Sequence, residues 1–233
     1  MKRVWTTAIA TWTGEGWGVL LDAKPLRLPS GPTLLVPQRA LAEAVAAEWQ
    51  AAGAESGTMD YTDVPLTRLA GTAQLRIVPD PAPTAAAIAA YGETDVLCYR
   101  ADRPPELVLR QEEAWHPWLD WARQDLGAAL TKTSGVRHLK QHPAAIAALC
   151  RTVEAESGWA LAGLGIVVPA LGSLVLGLAV MRGVLDPARA GAVANVDEDY
   201  QAELWGIDAD AATRRRNVQA EIDDGARFMA LVA

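Results

Sequence analysis

Hydrophobic positions change period along the chain. Within residues 1–36, "VWTTAIAT" and "GWGVLLDAKPLRLPSGPTLLVP" are rich in Val, Leu, Thr and Trp and punctuated by Gly, Pro and Asp, which predicts short strands. "LLDAKPLRL" reads as a hairpin with Asp22 to Pro25 as its turn. At "PQRALAEAVAAEWQAAG" the period becomes helical. Leu41, Val45 and Trp49 follow at i+4 steps, Pro37 suits the first helical position and Gly53 suits the stop. "VPLTRLAGTAQLRI" (64–77) predicts a second helix. "DPAP" (80–83) is a rigid break, placing a domain boundary between 1–82 and 83–233.

Beyond the break the pattern is mostly helical. "ETDVLCYRA" (93–101) predicts one further strand, ended by Pro104-Pro105. In "EEAWHPWLDWARQDLG", Trp115, Trp118, Leu119, Ala122 and Leu126 share a stripe, with Pro117 expected to restart the helix. A helix follows His142-Pro143. In "DPARAGAVANVDEDYQAELWG" an apolar stripe of Val193, Val196, Tyr200 and Leu204 recurs at helical spacing. The last helix is expected over 209–232, capped by Asp208, with Ala211, Val218, Ile222, Gly225, Met229 and Val232 inward. The fold class is α+β: a small mixed β/α N-terminal domain followed by an all-helical C-terminal domain.

Gly158 to Met181 carries no charge across 24 residues, and about 20 apolar residues suffice to span a bilayer. Against a span stand its glycines, Pro169, and Trp159 as an aromatic at one end only. Pro169 and Gly172-Ser173 instead read as the break in a buried helical hairpin, and no membrane span is expected.

Composition narrows the function. Of 233 residues, 51% are hydrophobic and 21% charged, with net charge −7, which is globular and unsuited to a phosphate backbone. Nucleic acid is therefore not an expected partner. Cys98 and Cys150 are too few for a disulfide framework and read as reduced core thiols. The N-terminus lacks the apolar run of a signal peptide, so a cytoplasmic protein is expected.

Catalytic motifs are scarce. "GEGWG" lacks the Gly-Lys-Ser/Thr ending of a phosphate loop, and its third glycine comes too early for a dinucleotide fold. "GLGIVV" misses that glycine too. No G-x-S-x-G occurs, and the Ser-Gly pairs, such as "PSGP", read as turns. "HLKQH" sets His138 and His142 at metal-ligand spacing, but Pro143 opposes a continuous helix there. A basic loop with Arg137 and Lys140 is the other reading. No metal or cofactor is expected. A small soluble hydrolase using His116, or the acids of 197–203, is the alternative from another functional class.

Two features stay open on the residues alone. "NVDEDYQAELWG" (195–206) crowds Asp197, Glu198, Asp199 and Glu203 beside Tyr200 and Trp205. Like charges at i, i+4 weaken a helix, so the cluster is either a solvated face or one awaiting a partner. Nine Trp stand against one Phe. Trp115, Trp118 and Trp121 cannot all enter one narrow stripe, so at least one is expected at a domain junction or on the surface, and helix packing and an interface are both open readings.

Several blocks in order, "VWTTA" with "GVLLDAKPLRLP", "VPLTRLAGTAQLRI", "ETDVLCYRA", "EEAWHPWLDWA", "GSLVLGLAVMRGVL" and "DEDYQAELWGIDADAATRR", resemble the ATP-twelve family, the assembly chaperones that act on the alpha subunit of the F-type ATP synthase in mitochondria and related bacteria. The resemblance implies a non-catalytic, two-domain protein. Such a protein binds the unassembled alpha subunit, keeps it from aggregating, and yields it to the beta subunit. It implies that the family's important acidic position is Glu203, with Asp197, Glu198, Tyr200 and Trp205 as neighbours in partner binding. The absence of a mitochondrial leader points to a bacterial cytoplasmic member, expected to be a monomer when free. "LAGLGIVVPALG" is more broken by glycine and proline than the family pattern.

Overall fold

Alternating apolar and polar side chains at the N-terminus pair into a small antiparallel sheet. In the computed structural model, which describes residues 1–29, 31–135, 138–206 and 208–233, strand β1 (Ala8–Trp12) pairs with β2 (Trp17–Leu21). Strand β2 pairs in turn with β3 (Lys24–Pro25) and with β4 (Leu35–Val36). Ser30 of the "PSGP" turn and Arg137 of the basic-loop reading lie outside the described residues. The first three residues of "GEGWG" make the β1–β2 turn, closed by Thr13 N–H donating to the Gly16 carbonyl at 3.0 Å, and its Trp17 and Gly18 open β2. The next turn is tighter than expected. Asp22 and Ala23 alone make it, both at positive φ, while Lys24 and Pro25 are already paired with Leu21 and Leu20. The Asp22 carboxylate offsets that backbone cost by accepting from the Thr6 and Thr7 amides at 2.9 and 2.8 Å.

The chain divides into two compact units. The first comprises Met1–Pro81, Ser157–Gly163 and Arg227–Ala233; the second comprises Ala82–Glu156 and Leu164–Ala226. In the first, helix α1 (Arg39–Ala51) buries Leu41, Val45 and Trp49 as its spacing predicts. It starts two residues later than expected, because Gln38 is the extended N-cap and Pro37 precedes it. Trp5 packs on Trp49 with ring centroids 5.0 Å apart and donates its Nε1–H to the Trp49 carbonyl. Trp49 Nε1–H donates to Thr67 Oγ1, and buried Glu48 accepts from the Leu66 and Thr67 amides at 2.7 and 3.1 Å. Glu48 therefore caps the start of helix α2 (Pro65–Thr72) from a neighbouring helix; α2 runs on with π-helical bonding through Ala73–Ile77.

The second unit holds α3 (Ala82–Ala89), α4 (Pro105–Asp125), α5 (Pro143–Glu154), α7 (Leu174–Met181), α8 (Pro187–Ala194) and α9 (Val196–Trp205). Helices α6 (Gly158–Leu171) and α10 (Ala209–Val232) contribute residues to both units. The strand predicted at 93–101 shrinks to β5 (Tyr99–Arg100), paired in parallel with β6 (Thr133–Ser134), because Val96–Cys98 forms a 3₁₀ turn. Apart from that pair the unit is helical, in keeping with the α+β class. Contrary to the expected restart, α4 runs unbroken through Pro117. The carbonyl that Pro117 leaves without an intrahelical donor belongs to Glu113, an exposed residue. The uncharged segment is a helical hairpin as its glycines predict, broken at Gly172-Ser173 with Pro169 inside α6. Among the described residues no helix is long and apolar enough to cross a membrane.

Helix α7 is buried from Leu174 to Val180. Its Gly177 admits the close approach of α6, since a Cβ there would stand 2.5 Å from Val168 Cγ2. Its N-terminal amides find their acceptors inside the protein. Ser173 Oγ accepts from the Leu176 amide and donates to Asp95 Oδ2, which also accepts from the Val175 amide, both at 3.0 Å. Asp95 Oδ1 accepts from the Leu97 amide. Burial outweighs these bonds and raises the Asp95 carboxyl to about 6.

Two expectations follow. Asp95→Asn turns an NH₂ toward groups that are themselves donors and costs about 1–3 kcal/mol at neutral pH, measured by urea unfolding. Native Asp95 binds its proton more tightly than the unfolded chain does, so its contribution to stability is greatest below about pH 4 and falls as pH rises toward 6. The cost of Asp95→Asn should accordingly be larger near pH 4.5 than at pH 7, by up to about 3 kcal/mol across the full titration.

Candidate functional site

The acidic cluster forms helix α9, and its local sequence sets both ends. Asn195, with φ −99° and ψ 24°, breaks the chain between α8 and α9. Gly206 at φ 80° ends α9. Asp197, Glu198 and Asp199 occupy its first turn, where the exposed backbone amides and helix dipole favour negative charge. That placement offsets the like-charge repulsion read from the sequence.

The expected apolar stripe does not become a buried face. No residue of α9 is buried: Val196 and Tyr200 are half-covered, Leu204 is 57% exposed and Trp205 is 78% exposed. Asn195 shifts the phase between Val193 and Val196, so the stripe is not continuous, and its last member ends in solvent.

Polar contacts hold α9 instead. Arg110 on α4 donates to Glu203 Oε1 at 2.7 Å, and its guanidinium lies 5.3 Å from the Tyr200 ring centroid. That hydrogen bond holds the Glu203 carboxyl below the usual carboxylate range. Gln111, buried on α4, donates its Nε2–H to Asp197 Oδ1 and accepts from the Ala101 amide at 2.7 Å. From α10, Arg215 pairs with Asp199 at 2.6 Å and Glu198 at 3.9 Å. One helix thus gathers Glu203, Asp197, Glu198, Tyr200 and Trp205, and each of the four acids already has a partner within the chain.

Behind α9, buried Trp115 donates its Nε1–H to the Val193 carbonyl at 2.6 Å. The buried Arg100 guanidinium sits 5.0 Å from the Trp115 ring centroid and bonds the Gln111 carbonyl. Trp118 and Trp121 are half-exposed and meet edge to face at 6.5 Å. A groove of about 430 Å³ runs between α9 and α10, lined by Glu198, Gln201, Ala202, Trp205, Asp208 and Arg214 among others. Asp208 caps α10 as expected, accepting from the Ala211 amide at 2.6 Å.

The other candidates disperse. His116 lies half-exposed on α4 between Glu112 at 3.6 Å and Asp120 at 3.4 Å, each one turn away. His142 is the N-cap of α5, its Nδ1 accepting from the Ala144 amide, while His138 lies within 3.4 Å of the Tyr99 hydroxyl. Among the described residues no His, Cys, Asp and Glu group is arranged to hold a metal. Cys98 is buried, and burial pushes its thiol up to about 12, the setting of a core thiol. Sequence reasoning missed Arg110, Gln111 and Arg215. Nothing in their spacing marks them, because their partners are about 16 to 93 residues away along the chain.

The α9 tip is thus apolar and exposed, and its acids are already paired within the chain. The chain matches the family model described as ATP12 chaperone protein over residues 2–123. It is similar along its whole length to Atp12 of Paracoccus denitrificans, at 40% identity and a TM-score of 0.94, covering 98% of that structure. The Atu1473 protein of Agrobacterium tumefaciens is 35% identical, with a TM-score of 0.92 over the whole chain and 86% of that structure. Mitochondrial atp12 of Schizosaccharomyces pombe is 26% identical over 90% of this chain and 75% of its own. The chain belongs to the ATP12 chaperone family and is an ATP synthase assembly chaperone.

Because α9 rests on ion pairs and hydrogen bonds rather than buried apolar area, raising NaCl from 0.05 to 0.5 M should speed hydrogen exchange of its amides several-fold. The amides of α7 should be unaffected. Equal salt sensitivity in both helices would contradict this account.

Proposed function

We propose that the protein binds the unassembled alpha subunit of the F-type ATP synthase through α9 and its groove, and that it does so without catalysis. The observation that carries this reading is Trp205, 78% exposed beside Leu204 on a helix with no buried residue. An isolated chain gains nothing from leaving that area in water, whereas a client's apolar surface would cover it. Glu203, Asp197, Glu198 and Tyr200 frame the tip. Their charges steer arginine-bearing surface toward it and oppose acidic competitors. Family membership supports the same client. His116 supports no hydrolase, since its ring nitrogens face two carboxylates and no hydroxyl or thiol among the described residues bonds to it. The free chaperone is a cytoplasmic monomer in this reading, and the beta subunit displaces it.

Co-expression with the alpha subunit should yield a soluble one-to-one complex on size exclusion that dissolves when beta subunit is added. Trp205→Ala should weaken the complex tenfold or more. Glu203→Lys, which also sets a cation against Arg110, should abolish it while the circular dichroism spectrum is unchanged. Full binding by both well-folded variants would overturn the assignment of this surface.

A further inference from the structure

A second groove, of about 390 Å³, lies wholly within the first unit. One wall is α2 with its π-helical extension, and the other is the segment between β3 and β4. Trp49 and Gly71 line its interior, and Tyr61 and Leu75 are exposed on its rim. Arg27, Arg68 and Arg76 line it as well, and all three are exposed.

The charges are unusual for this chain. Net charge is −7, yet among the described residues no acid lines the groove. Among the described residues the side chains of Arg68 and Arg76 have neither a hydrogen bond nor an ion pair, and Arg27 donates only to the Gly31 carbonyl at 3.0 Å. Elsewhere Arg39 pairs with Glu43, Arg110 with Glu203 and Arg123 with Asp120, while Arg151, Arg189 and Arg214 are exposed singly and outside this groove. Arg68, Thr72, Leu75 and Arg76 recur at i, i+4, i+7 and i+8, which places them along one helix face. Glu48, next to Trp49 in the chain, is buried and committed to the Leu66 and Thr67 amides.

Spacing selects the ligand. Eight residues of helix separate Arg68 from Arg76 by about 12 Å at 1.5 Å per residue. A single phosphate would need guanidiniums converging on one point. A row about 12 Å long matches three to four residues of extended chain. Leu75 and Tyr61 supply apolar contact for the alternate side chains of such a segment.

We propose that this groove docks an extended acidic segment of a partner protein that also carries apolar side chains. Arg68 and Arg76 pair with its carboxylates from one wall and Arg27 from the other. None of its lining residues belongs to α9, so it can be tested without the alpha subunit.

The probe is a fluorescein-labelled octapeptide of alternating Glu and Leu, titrated into the full chain and followed by fluorescence anisotropy. Saturable binding is expected, weakening as NaCl is raised. The double variant Arg68→Glu/Arg76→Glu should weaken it at least tenfold with an unchanged unfolding midpoint, since both side chains are exposed. If that variant folds poorly, Arg68→Gln/Arg76→Gln should still weaken binding several-fold. Absence of saturation, or equal binding by the variants, overturns the proposal. Displacement of the peptide by micromolar inorganic pyrophosphate would mark a small-anion site and overturn it too. So would a wild-type dimer in sedimentation that the double variant loses, because the occupant would then be a second copy.

Discussion

A helix buried along its whole face must satisfy its first amides without water. In the second unit that constraint falls on Asp95. Its carboxylate takes the Ser173 hydroxyl and the Val175 amide at the start of α7 while holding the Leu97 amide of the adjacent 3₁₀ turn. Helix α7 then supplies apolar surface against which α4 and α8 pack. The local sequence offers only Ser173 as a cap, which serves one amide. The remaining demand is met by a residue 78 positions earlier, at the cost of confining a carboxylate away from solvent. The first unit uses the same device in a milder form, with Glu48 of α1 accepting from the first amides of α2.

Helix α9 shows the opposite arrangement. It contributes no buried residue, and polar groups of α4 and α10 keep it in place. A surface fixed in this way can present Trp205 in a defined position and still adjust, as the proposed client binding would require, because exposed ion pairs exchange for others at small net cost. The buried Trp115, Gln111 and Arg100 give it a rigid backing. The two helices thereby rest on different forces: α7 on buried apolar area and its caps, and α9, the proposed binding surface, on polar contacts.

Where local pattern dominates, the elements were legible. The i+4 row Leu41, Val45 and Trp49 announces α1, and Gly172-Ser173 announces the hairpin break. Asp208 announces the start of α10. Local pattern also misled. Pro117 does not interrupt α4, because a missing hydrogen bond on the exposed side is tolerated there. The predicted strand at 93–101 keeps only two residues, because Asp95 draws its first half into a turn. The stripe from Val193 to Leu204 fails as a packing face because Asn195 separates two helices.

By itself the sequence determined the period of the long helices and of the N-terminal hairpin, the α+β class, the grouping of the acids with Tyr200 and Trp205, and the family resemblance. These depend on residues close together in the chain. Tertiary structure decided which acids are paired, since Arg110 and Arg215 reach Glu203 and Asp199 from other helices. It decided that Ser157–Gly163 and Arg227–Ala233 join the first unit. It also decided that three arginines from two segments line one groove with no acidic partner among the described residues. Contacts between distant segments depend on how the core packs, and no local pattern of hydrophobic and polar residues encodes them.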